Sequence, residues 1–103
     1  MDKQQPVTES IFYILLALRK PNHGYGIIQE VQQLTENRIV MGAGTLYGAI
    51  QTLEHKGWIT MWSEEESSRK KKEYISTEAG KEAFRNESAR LKELVEHSKL
   101  MNE

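Results

Sequence analysis

An α+β fold, mainly helical with a single β-hairpin, is predicted by three features of this 103-residue sequence. Apolar residues recur at helical spacing through three successive stretches before Gly57. After Gly57 the pattern turns extended, with Trp58-Ile59-Thr60-Met61-Trp62 and Glu73-Tyr74-Ile75-Ser76 rich in aromatic and β-branched residues. Beyond Thr77 helical spacing returns and runs almost to the last residue.

The first helix is predicted to start at Thr8, an N-cap residue, with Glu9 suited to the positive end of the helix. Ile11, Phe12, Ile14, Leu15, Leu16 and Leu18 form a wide apolar surface, and Pro21 ends the helix because the residue before proline avoids the helical region. His23-Gly24-Tyr25-Gly26 opens a second helix with Ile27, Ile28, Val31 and Leu34 on its apolar side. It fades in Thr35-Glu36-Asn37-Arg38, and Ile39-Val40 reads as a short strand. The third helix is predicted from Thr45, with Leu46, Ala49, Ile50 and Leu53 as its stripe and Gly57 as its C-terminal cap. Its other face carries Thr45, Tyr47, Gly48, Gln51, Thr52 and His55.

The two extended runs bracket the charged segment 63–72, which gives a hairpin with a long polar tip. Thr77-Glu78 starts the last helix, where Ala79, Ala83, Phe84, Leu91, Leu94, Val95 and Met101 share one face. Gly80 costs that helix roughly 1 kcal/mol relative to alanine. A stripe of this length, with no later element in the sequence to cover it, calls for a partner.

Composition narrows the function. The length suits one domain, and the absence of cysteine excludes disulfides, thiolate metal sites and cysteine nucleophiles. The longest apolar run, Ile11 to Leu18, is too short to span a membrane, and MDKQQPVTES lacks the features of a signal peptide, so a cytoplasmic protein is expected. A net charge of −1 argues against a uniformly basic nucleic-acid binder. Positive charge is nevertheless concentrated in Arg69-Lys70-Lys71-Lys72, shortly after the acidic Glu64-Glu65-Glu66.

The glycine-rich MGAGTLYGAI at 41–50 could cradle a nucleotide or launch a helix. A dinucleotide fingerprint would need glycine at position 47, which is Tyr47, and a P-loop would need a Gly-Lys-Ser/Thr ending that is absent. The stretch therefore reads as a turn followed by a helix. His23, His55 and His97 are too scattered for a metal site, and no nucleophile or acid-base set assembles, so no enzyme and no cofactor is expected. Trp58 and Trp62 fall on one face of a strand, where core or dimer packing is the default.

Three helices followed by a hairpin with a basic tip is the layout of a winged helix-turn-helix. In that geometry the third helix reads base edges in the major groove while the hairpin wing holds phosphates. Thr45 and Gln51 can exchange hydrogen bonds with bases, Tyr47 can reach a phosphate or stack, and Gly48 leaves room for close approach. Arg69, Lys70, Lys71 and Lys72 supply charge on the wing. The near-neutral net charge keeps a second reading open, a dimeric winged-helix module that binds a protein or small ligand and no DNA.

His23-Gly24-Tyr25, Gly44-Thr45-Leu46-Tyr47, Leu53-Glu54-His55-Lys56-Gly57, the basic wing into Tyr74, and Thr77-Glu78-Ala79-Gly80 occur in the order and spacing of the PadR family of bacterial transcriptional regulators, which the chain resembles over most of its length. The resemblance implies a homodimeric repressor of double-stranded DNA acting on a pseudo-palindromic operator. It implies a winged helix-turn-helix over residues 1–77 and a dimerisation helix over 78–103, similar to the small-size subfamily with a single C-terminal helix. Carried over by position, Tyr25 and Tyr47 contact the DNA backbone, Thr45 and Gln51 lie at or near bases, and Phe84, Leu91, Leu94, Val95 and Met101 form the dimer contact.

Some small members hold flat aromatic molecules between tryptophans of the two C-terminal helices. Leu91 stands at that position here, so a stacking pocket of that kind is not supported, while a small aromatic effector bound in another way stays open. The chain also departs from the family at Ser67-Ser68, where glycines are common, and at Ser76, where leucine is common. Both leave the conformation of the wing open.

Overall fold

The computed structural model describes residues 6–64 and 72–103. Helix α1 spans Glu9–Ala17, and Thr8 caps it, its hydroxyl accepting the Ile11 N–H at 3.2 Å. The helix stops short of the predicted end at Pro21, since Leu18 and Arg19 N–H groups bond three residues back and tighten the last turn. This presents its final carbonyls to a later strand: Ser76 donates its hydroxyl to Leu15 O at 3.1 Å and its N–H to Leu18 O at 2.9 Å. The Ser76 departure noted above is therefore a buried polar link between hairpin and helix.

Strand β1 (Asn22–His23) leads directly into helix α2 (Gly24–Leu34), where the His23 imidazole Nδ1 accepts the Gly26 N–H and caps the helix. Helix α3 follows at Ala43–Lys56, then strands β2 (Ile59–Glu64) and β3 (Lys72–Ser76), helix α4 (Glu78–Ser98) and a 3-10 turn at Lys99–Asn102. The sheet is antiparallel in the order β1-β3-β2. The third strand is thus Asn22–His23, opposite Tyr74 and Glu73, and not Ile39-Val40 as the sequence suggested. The Ile39 N–H is taken by the Thr35 hydroxyl at 3.0 Å, which removes its donor from any ladder.

The turn between α2 and α3 is made by Glu36 and Asn37, at φ 51° and 68°, and not by the glycine cluster. Asn37 N–H reaches back to Gln32 O and Glu36 N–H to Gln33 O, the paired bonds that close a helix around a left-handed residue. Gly42 is extended at φ −80° and ψ 162° and simply precedes α3. Gly57, at φ 77°, closes α3 in the predicted way, with Trp58 N–H donating to Leu53 O.

Ile14, Leu18, Ile27, Val31, Leu46 and Leu53 are fully or almost fully buried, so α1, α2 and α3 share one core with Ile59 and Tyr74 of the sheet. Leu34 is half exposed, contrary to its place in the predicted stripe. On α4 the inward face is Gly80, Ala83, Phe84 and Glu87, with Ala79 exposed, one position out of the predicted phase. Gly80 explains the offset: a Cβ there would lie 2.1 Å from Trp58 O, so the helix approaches the backbone through a bare position. Thr77 joins the same contact, accepting from Gly80 N–H and donating to Gly57 O at 2.6 Å. Trp58 packs partly buried on the core, whereas Trp62, on the strand face of exposed Thr60, is itself exposed, so the two tryptophans do not share a packed face. Among the described residues no helix is long and apolar enough to cross a membrane.

Candidate nucleic-acid interface

Helix α3 buries Leu46, Ile50 and Leu53 and turns the rest of its surface outward. Thr45, Tyr47, Gly48 and Gln51 are all exposed on that outer side, as the sequence predicted. Thr45 has no part in capping, because the N-cap is Gly42 and makes no side-chain bond. A methyl group built at Gly42, Gly44 or Gly48 would meet nothing within 4 Å. The fold itself therefore has no steric need for any of these three glycines, and they leave the outer surface of α3 low.

Tyr25, in the first turn of α2, is 65 % exposed, and Tyr47 is 50 % exposed. The structure draws these two elements together at one point: a Cβ at Gly24 would lie 2.5 Å from the Tyr47 hydroxyl oxygen. The Tyr47 ring thus reaches from α3 to the N-terminal end of α2. Lys56, in the last turn of α3, extends its ammonium over the Trp58 ring at 5.2 Å, a placement that suits the negative end of the helix. Lys72 begins β3 and is exposed, whereas Arg69, Lys70 and Lys71 lie outside the described residues, as do Ser67 and Ser68.

Helix α4 packs on α1 and continues beyond its last buried position, Glu87. Phe84 stacks on Phe12 with centroids 4.3 Å apart and is occupied within the chain. Leu91, Leu94 and Val95 are exposed, and so are Leu100 and Met101, which lie in the terminal 3-10 turn and not on α4. Sequence reasoning missed Glu87, which is 2 % exposed on α4. Its carboxylate accepts two bonds from the Arg90 guanidinium and one from Val7 N–H. The Arg90 bond holds the Glu87 pKa below its ordinary value, burial opposes this, and the Val7 N–H assists. Gly24 was visible only as part of a motif, and nothing in its own context signals the Tyr47 contact.

Four helices and a three-stranded antiparallel sheet, with α2 and α3 joined by a short connection that turns at Glu36–Asn37 and β2 and β3 forming the hairpin, define a winged helix-turn-helix. Residues 13–86 match the transcriptional regulator PadR-like family, and the chain belongs to that family. No curated protein sequence matches it. Among solved structures it is similar to a PadR family transcriptional regulator from Eggerthella lenta DSM 2243, with 24 % identity, 90 % of this chain and 80 % of that chain covered, and a TM-score of 0.75. A PadR family transcription regulator from Clostridium difficile R20291 shows 28 % identity over 90 % of this chain and 93 % of that one, with a TM-score of 0.60. Bacillus subtilis PadR in complex with operator DNA matches with 24 % identity and a TM-score of 0.68, over 79 % of this chain and 47 % of that chain.

Proposed function

We propose that this chain is a homodimeric repressor that binds a pseudo-palindromic DNA operator, with α3 reading bases and the wing holding phosphates. The observation that carries this reading is the outer face of α3, where exposed Thr45, Tyr47 and Gln51 stand among three glycines with open space around them. Of these glycines, Gly48 lies in the helix interior, where glycine costs roughly 1 kcal/mol relative to alanine and a merely solvated face has no use for it. A surface that must approach a duplex closely does. The similar Bacillus subtilis PadR, solved with operator DNA, supports the same partner. The roles proposed are base contact for Thr45 and Gln51, backbone contact for Tyr25 and Tyr47, and charge from Arg69, Lys70, Lys71 and Lys72. The distal part of α4, with Leu91, Leu94 and Val95, serves the dimer.

A footprint on the DNA upstream of the chain's own gene tests this directly. Affinity for the protected duplex is expected to fall steeply and log-linearly with salt, because bound lysines and arginines release counterions. Lys70→Ala and Lys71→Ala each lower the salt slope by about 1 and weaken binding on all sequences alike. Gln51→Ala instead erodes discrimination at one base pair by about 1 to 3 kcal/mol. Binding with no sequence preference and no salt dependence would defeat the reading.

A further inference from the structure

We propose that Gly24 is a positioning residue for Tyr47, a bare backbone seat that fixes the phenol so that its O–H donates to a DNA backbone phosphate. The inference rests on the DNA-binding reading above and deepens it. Gly24 is buried, while Tyr47 is half exposed and so is not held in place by burial alone. A Cβ at Gly24 would lie 2.5 Å from the Tyr47 hydroxyl oxygen, closer than real Cβ contacts come, and 3.0 Å from its Cζ, a tight contact that a shift of a few tenths of an ångström accommodates. Backbone conformation does not explain the glycine, since Gly57 is the described glycine with positive φ. What Gly24 supplies is space, and the group that fills the space is the end of the Tyr47 ring.

The place matters chemically. Gly24 is the first residue of α2, so the seat lies at that helix's positive end, beside exposed Tyr25. A phenol lying there is a neutral donor in a field that favours an anion. Its ring is rigid, and a hydroxyl hydrogen bond tolerates only about 2.5 to 3.0 Å between oxygens. An alanine Cβ at Gly24 would push the phenol oxygen by a sizeable fraction of that length and lift the ring away. Leu46 Cδ2, at 3.4 Å from the same Cβ position, makes an ordinary contact and does not need to move.

The test is a cycle of Gly24→Ala, Tyr47→Phe and the double variant, measured on the footprinted duplex and on a scrambled one, with Tm recorded for each. Tyr47→Phe and Gly24→Ala are each expected to weaken binding about tenfold on both duplexes, the scale of a hydrogen bond to a charged group, with Tm almost unchanged. The double variant is expected to bind like Tyr47→Phe alone, because the displaced oxygen is already gone. Additive losses, or a Gly24→Ala protein with wild-type affinity, would overturn the proposal. A second readout replaces single phosphates by neutral methylphosphonates. The wild type should lose affinity at one phosphate per half-site, and both single variants should be insensitive there; retained sensitivity in Gly24→Ala would count against the seat.

Should Gly24→Ala alone fail to fold, the double variant decides, since removing the hydroxyl relieves the contact; a double variant that also fails overturns the idea. Wild-type protein that binds no duplex defeats the DNA reading and this inference together. Tyr47→Phe weakening binding while Gly24→Ala does not defeats the inference alone.

Discussion

Glycine placement separates what the fold needs from what a partner needs. Gly80 and Gly24 face backbone and ring at distances no Cβ could share, whereas Gly48 faces open space in the middle of α3. Gly48→Ala should therefore stabilise the protein by roughly 0.5 to 1 kcal/mol, seen as a higher Tm, while weakening operator binding. A gain in Tm with unchanged affinity would remove Gly48 from the interface. Glu87 poses the opposite case, a buried charge held by Arg90 and Val7. Its folded pKa is depressed, so its contribution is present above the ordinary 4.5 and is lost as pH falls through the lower folded value. Glu87→Gln should flatten the acid limb of a Tm-against-pH curve below about pH 4.5 and leave the neutral and alkaline limbs parallel to wild type. By contrast the Glu9–Arg38 pair is more than half exposed on both sides, and salt should screen it. At this scale the sequence disclosed residue types and faces well, which is why Thr45, Tyr47 and Gln51 fall where expected. It could not disclose Glu87 or the seat at Gly24, because both depend on contacts between elements far apart in the chain.

Elements were legible wherever a cap and a period coincided. Thr8, His23, Gly57 and Thr77 mark helix ends in the sequence and do so in the structure, each with its hydrogen bond. Two elements escaped for physical reasons. Strand β1 is two residues long, too short to show any alternation, and exists because β3 offers it an edge. The turn after α2 puts Glu36 in the left-handed region where glycine is the usual choice, so the sequence showed the helix fading over Thr35-Glu36-Asn37-Arg38 without marking the residue that makes the turn. That residue carries strain that a glycine, having no Cβ, would not. Glu36→Gly is accordingly expected to stabilise the fold by about 0.5 to 1 kcal/mol, the relief of left-handed strain less the added freedom of the unfolded chain. Thermal unfolding checks this, and a fall in Tm would mean the Glu36 side chain contributes something beyond its backbone. Ser76 makes the complementary point: Ser76→Ala removes the donor to Leu15 O and should destabilise by about 1 kcal/mol.

The whole molecule is elongated, with extents of 60 × 35 × 21 Å and a radius of gyration of 15.4 Å, where about 13 Å is usual for a compact chain of this size. The excess follows from α4, whose 21 residues run about 30 Å while its buried positions end at Glu87. Beyond that point Leu94 and Val95 stand 48 % and 58 % exposed, with no other described element over them. A helix projecting its apolar side into water is poorly stabilised alone, since isolated helices of a few turns are marginal. In the proposed dimer that side is covered, and the two copies of α3 are held for two half-sites. Val95→Glu should then give a monomer by sedimentation, with a Tm that no longer rises with protein concentration. Operator affinity should fall about 100-fold or more, because the second half-site is no longer bound at high effective concentration. Binding to a single half-site should change little, since α3 and the wing are untouched. A Val95→Glu protein that stays dimeric would move the dimer contact elsewhere on the molecule, and one that is monomeric yet binds the full operator normally would show that pairing through α4 is not what brings two reading helices to the DNA.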